Sequence, residues 1–223
     1  MKASLGQRCL CEFVGTAFLV AAVVGSGIMS ERLAGGNVGL ALLTNTIATG
    51  AVLVALILGF GEISGAHLNP VVTLSSAVPG GMPWPEVPGY VVAQVVGGVC
   101  GTFMAHLMFS LPLVTLSQHR RSGPAQVFSE CVATFGLLAV IHGCSRRKSD
   151  AAAFAVGGYI TAAYWFTAST SFANPAVTLA RSLSDTFAGI RPVDAPWFIA
   201  AQIVGGAAAT LLFSERVSAA RQF

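Results

Sequence analysis

The dipeptide Asn-Pro occurs twice in this chain, at Asn69-Pro70 and Asn174-Pro175, and each time it opens an apolar run too short to cross a bilayer. After Asn69 the chain reads Pro-Val-Val-Thr-Leu-Ser-Ser-Ala-Val and breaks at Pro79-Gly80-Gly81. After Asn174 it reads Pro-Ala-Val-Thr-Leu-Ala-Arg-Ser-Leu and turns polar at Ser184-Asp185. Each run is about eight to ten residues, half of the roughly 20 that a spanning helix needs. Asn is a favoured N-cap, and Pro fits the first helical position, where its missing N–H is no loss. Each motif therefore predicts a short helix. The preceding residues, 62–68 and 169–173, are rich in Gly, Ser and Thr and suit an irregular descent. Irregular backbone at membrane depth survives only where it lines a water-filled cavity or is buried in protein. Two half-helices are thus expected to enter from opposite sides and meet near the midplane, N-terminus to N-terminus. A lone Asn-Pro is ordinarily a turn; two in register within a repeat are not.

That repeat is visible by eye. Glu12-Phe13-Val14-Gly15-Thr16 echoes Glu130-Cys131-Val132-Ala133-Thr134, and Ala93-Gln94-Val95-Val96-Gly97-Gly98 echoes Ala201-Gln202-Ile203-Val204-Gly205-Gly206. With the Asn-Pro pair, all three echoes fall in the same order in both halves. Six segments, 9–29, 38–60, 87–111, 127–141, 151–168 and 196–213, are apolar all round. Only 9% of the chain is charged and 54% is apolar, whereas a soluble domain is about one quarter charged. Each half holds three spans with the motif after the second. Three is odd, so the second half enters from the opposite side and the repeat is inverted. The expected fold is an all-α membrane protein: six transmembrane helices plus two re-entrant half-helices. It forms one channel domain over 1–223, with repeats of about 1–116 and 124–223 joined near 117–124.

The formal charge is +3, carried by residues scattered in loops, so no nucleic-acid partner is expected. The positive-inside rule places Lys2, Arg8, Arg146, Arg147, Lys148, Arg216 and Arg221 in the cytoplasm. It leaves Arg32, Arg120, Arg121, Arg181 and Arg191 outside. Both termini are expected to be cytoplasmic, in a plasma (inner) membrane. Lys2 and Arg8 precede a first span that lacks a cleavage pattern, so it reads as a span and not a signal peptide. The cysteines Cys9, Cys11, Cys100, Cys131 and Cys144 are odd in number and irregular in spacing, which suits apolar packing better than disulfides. The histidines His67, His106, His119 and His142 have no metal-ligand spacing, so neither a metal, a cofactor nor an enzyme site is expected.

Two facing helix N-termini, each carrying roughly half a positive charge, repel cations, including hydronium. The Asn69 and Asn174 amides are expected to add donors pointing into the pore. A neutral polyol could pass by exchanging hydrogen bonds along exposed carbonyls.

The stretches Ser64-Gly65-Ala66-His67-Leu68-Asn69-Pro70-Val71-Val72-Thr73 and Ser171-Phe172-Ala173-Asn174-Pro175-Ala176 resemble the two signature loops of the aquaporin (major intrinsic protein) family. The resemblance extends to the Glu-x-x-x-Thr starts and the Ala-Gln-x-x-Gly-Gly blocks, nearly the whole chain. It implies one pore per subunit, a homotetramer, and buried Glu12 and Glu130 holding the two re-entrant loops. Val71 enlarges the third residue of the usual Asn-Pro-Ala. Val177 stands where the family usually has an arginine of the outer constriction. Arg181 lies one turn beyond Val177, about 6 Å further along the axis, and its ability to substitute is open. By spacing, the other constriction positions are Thr49, Ala162 and Ser171, with Tyr164 or Trp165 replacing Ala162 if the loop is gapped. Thr49, Ala162, Ser171 and Val177 form a small, uncharged set, which implies a wider opening than water-selective members have. His67 is expected to hydrogen-bond within its loop and reach the inner vestibule. The run 164–178 resembles bacterial aquaglyceroporins of the arsenic-resistance type. The implied solutes are glycerol, water and undissociated arsenite or related acids, with membrane lipid as surroundings. The alternatives are a water-selective aquaporin, a closed junction protein and a coupled transporter. A transporter would want an ionisable residue in the pore.

Overall fold

The computed structural model describes residues 3–145 and 151–219, and every regular element in that part of the chain is helical. The helices are α1 (Leu5–Leu33), α2 (Val38–Ser64), α3 (Pro70–Ala77), α4 (Val87–Met108), α5 (Pro124–Ser145), α6 (Ala151–Phe166), α7 (Pro175–Arg181) and α8 (Ala195–Ala219). A 3-10 turn, Trp84–Glu86, leads into α4. Five helices are long and apolar enough to cross a membrane, while α6 is equally apolar but has only 16 residues. The basic residues Lys2, Arg146, Arg147, Lys148 and Arg221, which carry much of the orientation argument, lie outside the described residues.

Local chemistry sets the ends of the elements. Ser4 and Gln7 form a capping box that starts α1, and Asn37 caps α2. The short helices α3 and α7 run 8 and 7 residues, each opened by an Asn N-cap with Pro in the first turn. Gly65, at φ +89°, ends α2 in the left-handed region, where a glycine avoids the cost of a Cβ.

The two halves pack by the same rules. Helix α1 lies on α4 and α5 on α8, α2 meets α6 between the halves, and α3 touches α7 at the centre. Each half-helix also crosses to the other repeat, α7 against α4 and α3 against α8. A Cβ on Gly97 would strike the Phe13 carbonyl, and one on Gly205 the Cys131 carbonyl. These are equivalent positions, so each repeated Gly-Gly block marks a close helix crossing, as expected where lipid supplies no hydrophobic drive.

The larger Val71 is also explained by its partner. It is 3% exposed, packs with Leu138 and Ala209, and presses its side chain over the bare Cα of Gly206. We expect Gly206→Ala to lower stability by about 1–3 kcal/mol through overpacking. Trimming Val71 to Ala in the same chain should recover part of that loss. Thermal midpoints of the detergent-solubilised variants in a double-mutant cycle check this, and strictly additive effects would refute the packing account.

Candidate functional site

The two loops that precede the half-helices have an unusual backbone. Ala66 and Leu68 have φ of 44° and 50°, and Ser171 and Ala173 both have φ of 49°. These are non-glycine residues in the left-handed region, each costing roughly 1–2 kcal/mol, at positions three and one before each Asn. The conformation persists because buried carboxylates bind the amides. Glu12 accepts from His67 N (2.9 Å), Leu68 N (2.6 Å), Ser64 Oγ (2.7 Å) and Gln94 Nε2 (2.8 Å). Glu130 accepts from Phe172 N and Ala173 N (both 2.9 Å) and Gln202 Nε2 (2.6 Å). Gln94 also donates to Thr73 Oγ1 and Gln202 to Thr178 Oγ1, each at 2.9 Å. The repeated Glu, Gln and Thr thus form one buried network per half, linking the first helix, the last helix and the half-helix.

At the centre the two loops bond to each other. Asn69 Nδ2 donates to Ala173 O and Asn174 Nδ2 to Leu68 O, both at 2.7 Å. Each Asn Oδ1 accepts from its own half-helix, Asn69 from Val71 N and Asn174 from Ala176 N and Val177 N. One amide proton of each Asn is therefore spent on the opposite loop. Only the second is left for the passage.

A continuous cavity of about 740 Å³ passes between the halves, lined from Pro79, Gly80 and His142 at one end to Tyr164, Phe172 and Arg181 at the other. One wall is polar, built from residues 65–69 and 171–174. The facing wall is apolar and includes Leu19, Val23, Leu137 and Ile160. Of the midplane set, Asn69 and Asn174 line the cavity, while Pro70, Val71, Pro175 and Ala176 are buried behind it. His67 borders the passage, its Nδ1 3.1 Å from Thr73 Oγ1. Among the described residues no three His, Cys, Asp or Glu side chains are grouped as a metal ion would require.

The constriction differs from the spacing argument in two ways. Thr49, Ser171 and Val177 border the cavity, but Ala162 is exposed on the outer surface of α6. Tyr164, two residues on and so on the opposite side of the helix, borders the cavity instead, its hydroxyl 3.3 Å from Thr49 Oγ1. Nor is the wall free of arginine. Arg181 is 1% exposed, borders the same cavity and donates from Nε to Ala188 O. Its guanidinium carbon lies 3.3 Å from the centroid of the Phe172 ring. The Cα of residue 181 is a turn beyond Val177, but the side chain folds back toward the passage. Sequence spacing places that Cα and says nothing of Phe172 and Ala188, which aim the side chain.

The comparisons with known proteins agree with this architecture. The family model for the major intrinsic protein matches residues 1–151. The chain is 52% identical to aquaglyceroporin AqpS of Rhizobium meliloti (strain 1021), over 97% of this chain and 93% of that one. It is 32% identical to aquaporin NIP2-3 of Zea mays over 83% of its own length, spanning 63% of the plant protein. An X-ray structure of the aquaglyceroporin from Plasmodium falciparum superposes with a TM-score of 0.73 at 22% identity, covering 95% of each chain, which speaks for the fold. The match over most of the chain, on a fold whose two half-helices meet beside one long cavity, leads to one conclusion: the chain belongs to the major intrinsic protein family and is a multi-pass membrane channel for small solutes.

Proposed function

We propose that the chain conducts glycerol, water and undissociated oxyacids such as arsenite or related organoarsenical acids, and excludes ions and protons. The observation that carries this reading is the two-sided wall of the passage. A polyol has hydroxyls on one side and C–H groups on the other. Backbone carbonyls and Asn amides can replace its water on the first side, and the aliphatic wall accepts the second. Thr49 in place of a ring, and Val177 in place of a longer side chain, leave room for a three-carbon solute. Proton exclusion would rest on the two half-helix N-termini, each already capped by its Asn. The identity with an aquaglyceroporin supports glycerol over strict water selectivity.

A second reading, a water-selective pore, is favoured by one observation: Tyr164 and Arg181 border the same cavity near Thr49. Proteoliposome light scattering separates the two. The proposed function predicts shrinkage followed by re-swelling after a glycerol jump, at rates well above empty vesicles. Fast water flux with glycerol flux at the empty-vesicle rate would establish the second reading, and no flux of either would sink both.

The proposal includes a homotetramer in a plasma (inner) membrane with both termini cytoplasmic. Exposed apolar residues such as Leu43, Ile47, Phe128 and Leu211 suit lipid or neighbouring subunits. Arg32, Arg120, Arg121, Arg181 and Arg191 belong to the end where α7 finishes, and against these five the proposed orientation sets the seven basic residues Lys2, Arg8, Arg146, Arg147, Lys148, Arg216 and Arg221, an excess that the positive-inside rule would turn toward the cytoplasm.

A further inference from the structure

The mouth at the end of α7 holds two buried guanidinium groups, and among the described residues no carboxylate is hydrogen-bonded to either of them. Arg181 and Arg121 both lie against the Phe172 ring, with guanidinium carbons 3.3 Å and 5.1 Å from its centroid. Among the described residues the Arg121 guanidinium donates to neutral oxygens: Gly189 O (2.8 Å) and, at 3.3 Å each, Ser169 O, Thr170 Oγ1 and Phe187 O. Arg181 Nε also donates to a carbonyl, that of Ala188, and the Tyr164 hydroxyl lies beside the same guanidinium. The nearby carboxylates are hydrogen-bonded to other donors, although the Glu130 charge still acts on both guanidinium groups. Glu130 serves three loop and helix donors, Asp194 pairs with Arg191 and accepts from Arg121 N, and Asp185 accepts from Gln118 N. Among the described residues no Asp or Glu borders the cavity. Charge at this mouth is felt by its neighbours. Burial and then Arg181 push Arg121 down to about 9, still charged at neutral pH. Partial burial and the charges of Arg121 and Arg181 hold the His119 imidazole below its ordinary value.

A second group points to a ligand. Ser171 borders the cavity, is 2% exposed, and its Oγ has no hydrogen-bond partner among the described residues. A buried hydroxyl without a partner costs free energy unless something in the cavity satisfies it. A guanidinium edge offers parallel N–H groups that suit two oxygens of one planar anion. Beyond this level the wall includes Val177, Leu19 and Val23, which offer a bare charge no compensation.

Resting on the channel reading above, we propose that Arg181 and Ser171 form a binding site for small planar oxyanions at the α7 mouth, where a bound anion competes with the permeating solute. The anion enters the positive mouth, meets the guanidinium and the serine hydroxyl, and stops at the apolar wall. A neutral solute passes the same groups and continues.

Nitrate is a suitable probe: planar, fully ionised and unable to cross lipid as a neutral acid. Glycerol flux into proteoliposomes is measured in external sodium nitrate and in sodium chloride of equal ionic strength. Nitrate is expected to slow wild-type flux severalfold and saturably, relative to chloride. Each variant is normalised to its own flux in chloride. Arg181→Gln is expected to weaken the block about tenfold or more, and Ser171→Ala less, as befits a charged and a neutral donor. Equal flux in the two salts, or a block undiminished in whichever variants fold, overturns the site. Calorimetric titration of nitrate into the full-length protein in detergent, at constant chloride, needs no flux. Saturable binding weakened by Ser171→Ala supports the site, and no binding overturns it. A wild type that conducts nothing would sink the channel reading, and the titration would still decide the site.

Discussion

Replacing Val177 with arginine is expected to cut glycerol flux by about tenfold or more, an added barrier of roughly 1.4 kcal/mol, while water flux stays close to wild type. Val177 borders the passage on α7, one turn before Arg181. An arginine there would extend a long charged side chain into the width that a three-carbon solute needs, and a water molecule does not. Arsenite flux should fall with glycerol. The two guanidinium groups would also be i,i+4 neighbours on one short helix, a like-charge pair that costs more here than the about 0.2–0.5 kcal/mol of an exposed pair, because both positions are buried. The thermal midpoint of the variant is therefore measured beside its flux. Stopped-flow light scattering with each solute in turn checks it. Undiminished glycerol flux in Val177→Arg would show that this level does not set the size limit.

The second large effect concerns the loops. Glu130→Ala removes the acceptor of two backbone amides and one side-chain amide, all buried. Each unsatisfied donor costs about 1–3 kcal/mol, so the sum is expected to exceed about 3 kcal/mol. Without those bonds Ser171 and Ala173 lose what holds them in the left-handed region. The expected result is a marked drop in the thermal midpoint and loss of all solute flux, water included. Glu130→Gln keeps one carbonyl oxygen and should fall between. A Glu130→Ala protein with wild-type midpoint and wild-type flux would refute this role. The same change at Glu12 should act on residues 67 and 68.

Both predictions draw on what was legible in the residues and on what was not. Asn-Pro at the head of a half-length apolar run signals its own cap and its own length, because capping is local chemistry. The echoed Glu, Gln and Thr positions were visible as repeats before any network could be drawn. The left-handed backbone was not visible, since Ala66, Leu68, Ser171 and Ala173 carry no glycine signature. Their conformation is imposed by carboxylates about 40 to 60 residues away in sequence. Ala162 was misplaced because counting back from Asn174 assumes a fixed loop, whereas α6 ends at Phe166 and turns Tyr164 to the passage. Arg181 could be placed on its helix but not aimed, because its aim depends on the Phe172 ring and on a carbonyl of the following loop.

The reciprocal bonds at the centre have a further consequence. Asn69 reaches Ala173, and Asn174 reaches Leu68 at the same 2.7 Å. Residue and partner exchange roles across a pseudo-axis, which is how a two-fold, isologous contact behaves between identical subunits. The middle of this protein is therefore a dimer interface carried within one polypeptide. A half-length chain with one Asn-Pro loop already holds both the donor and the acceptor needed to meet a second copy of itself. Duplication then frees the halves to diverge, and they have done so: at the position of Arg181 in the second half, the first half has Ser76, and both border the cavity. The framework keeps its symmetry at the joint and gives it up at the two mouths, which can then present different chemistry to the two sides of a membrane.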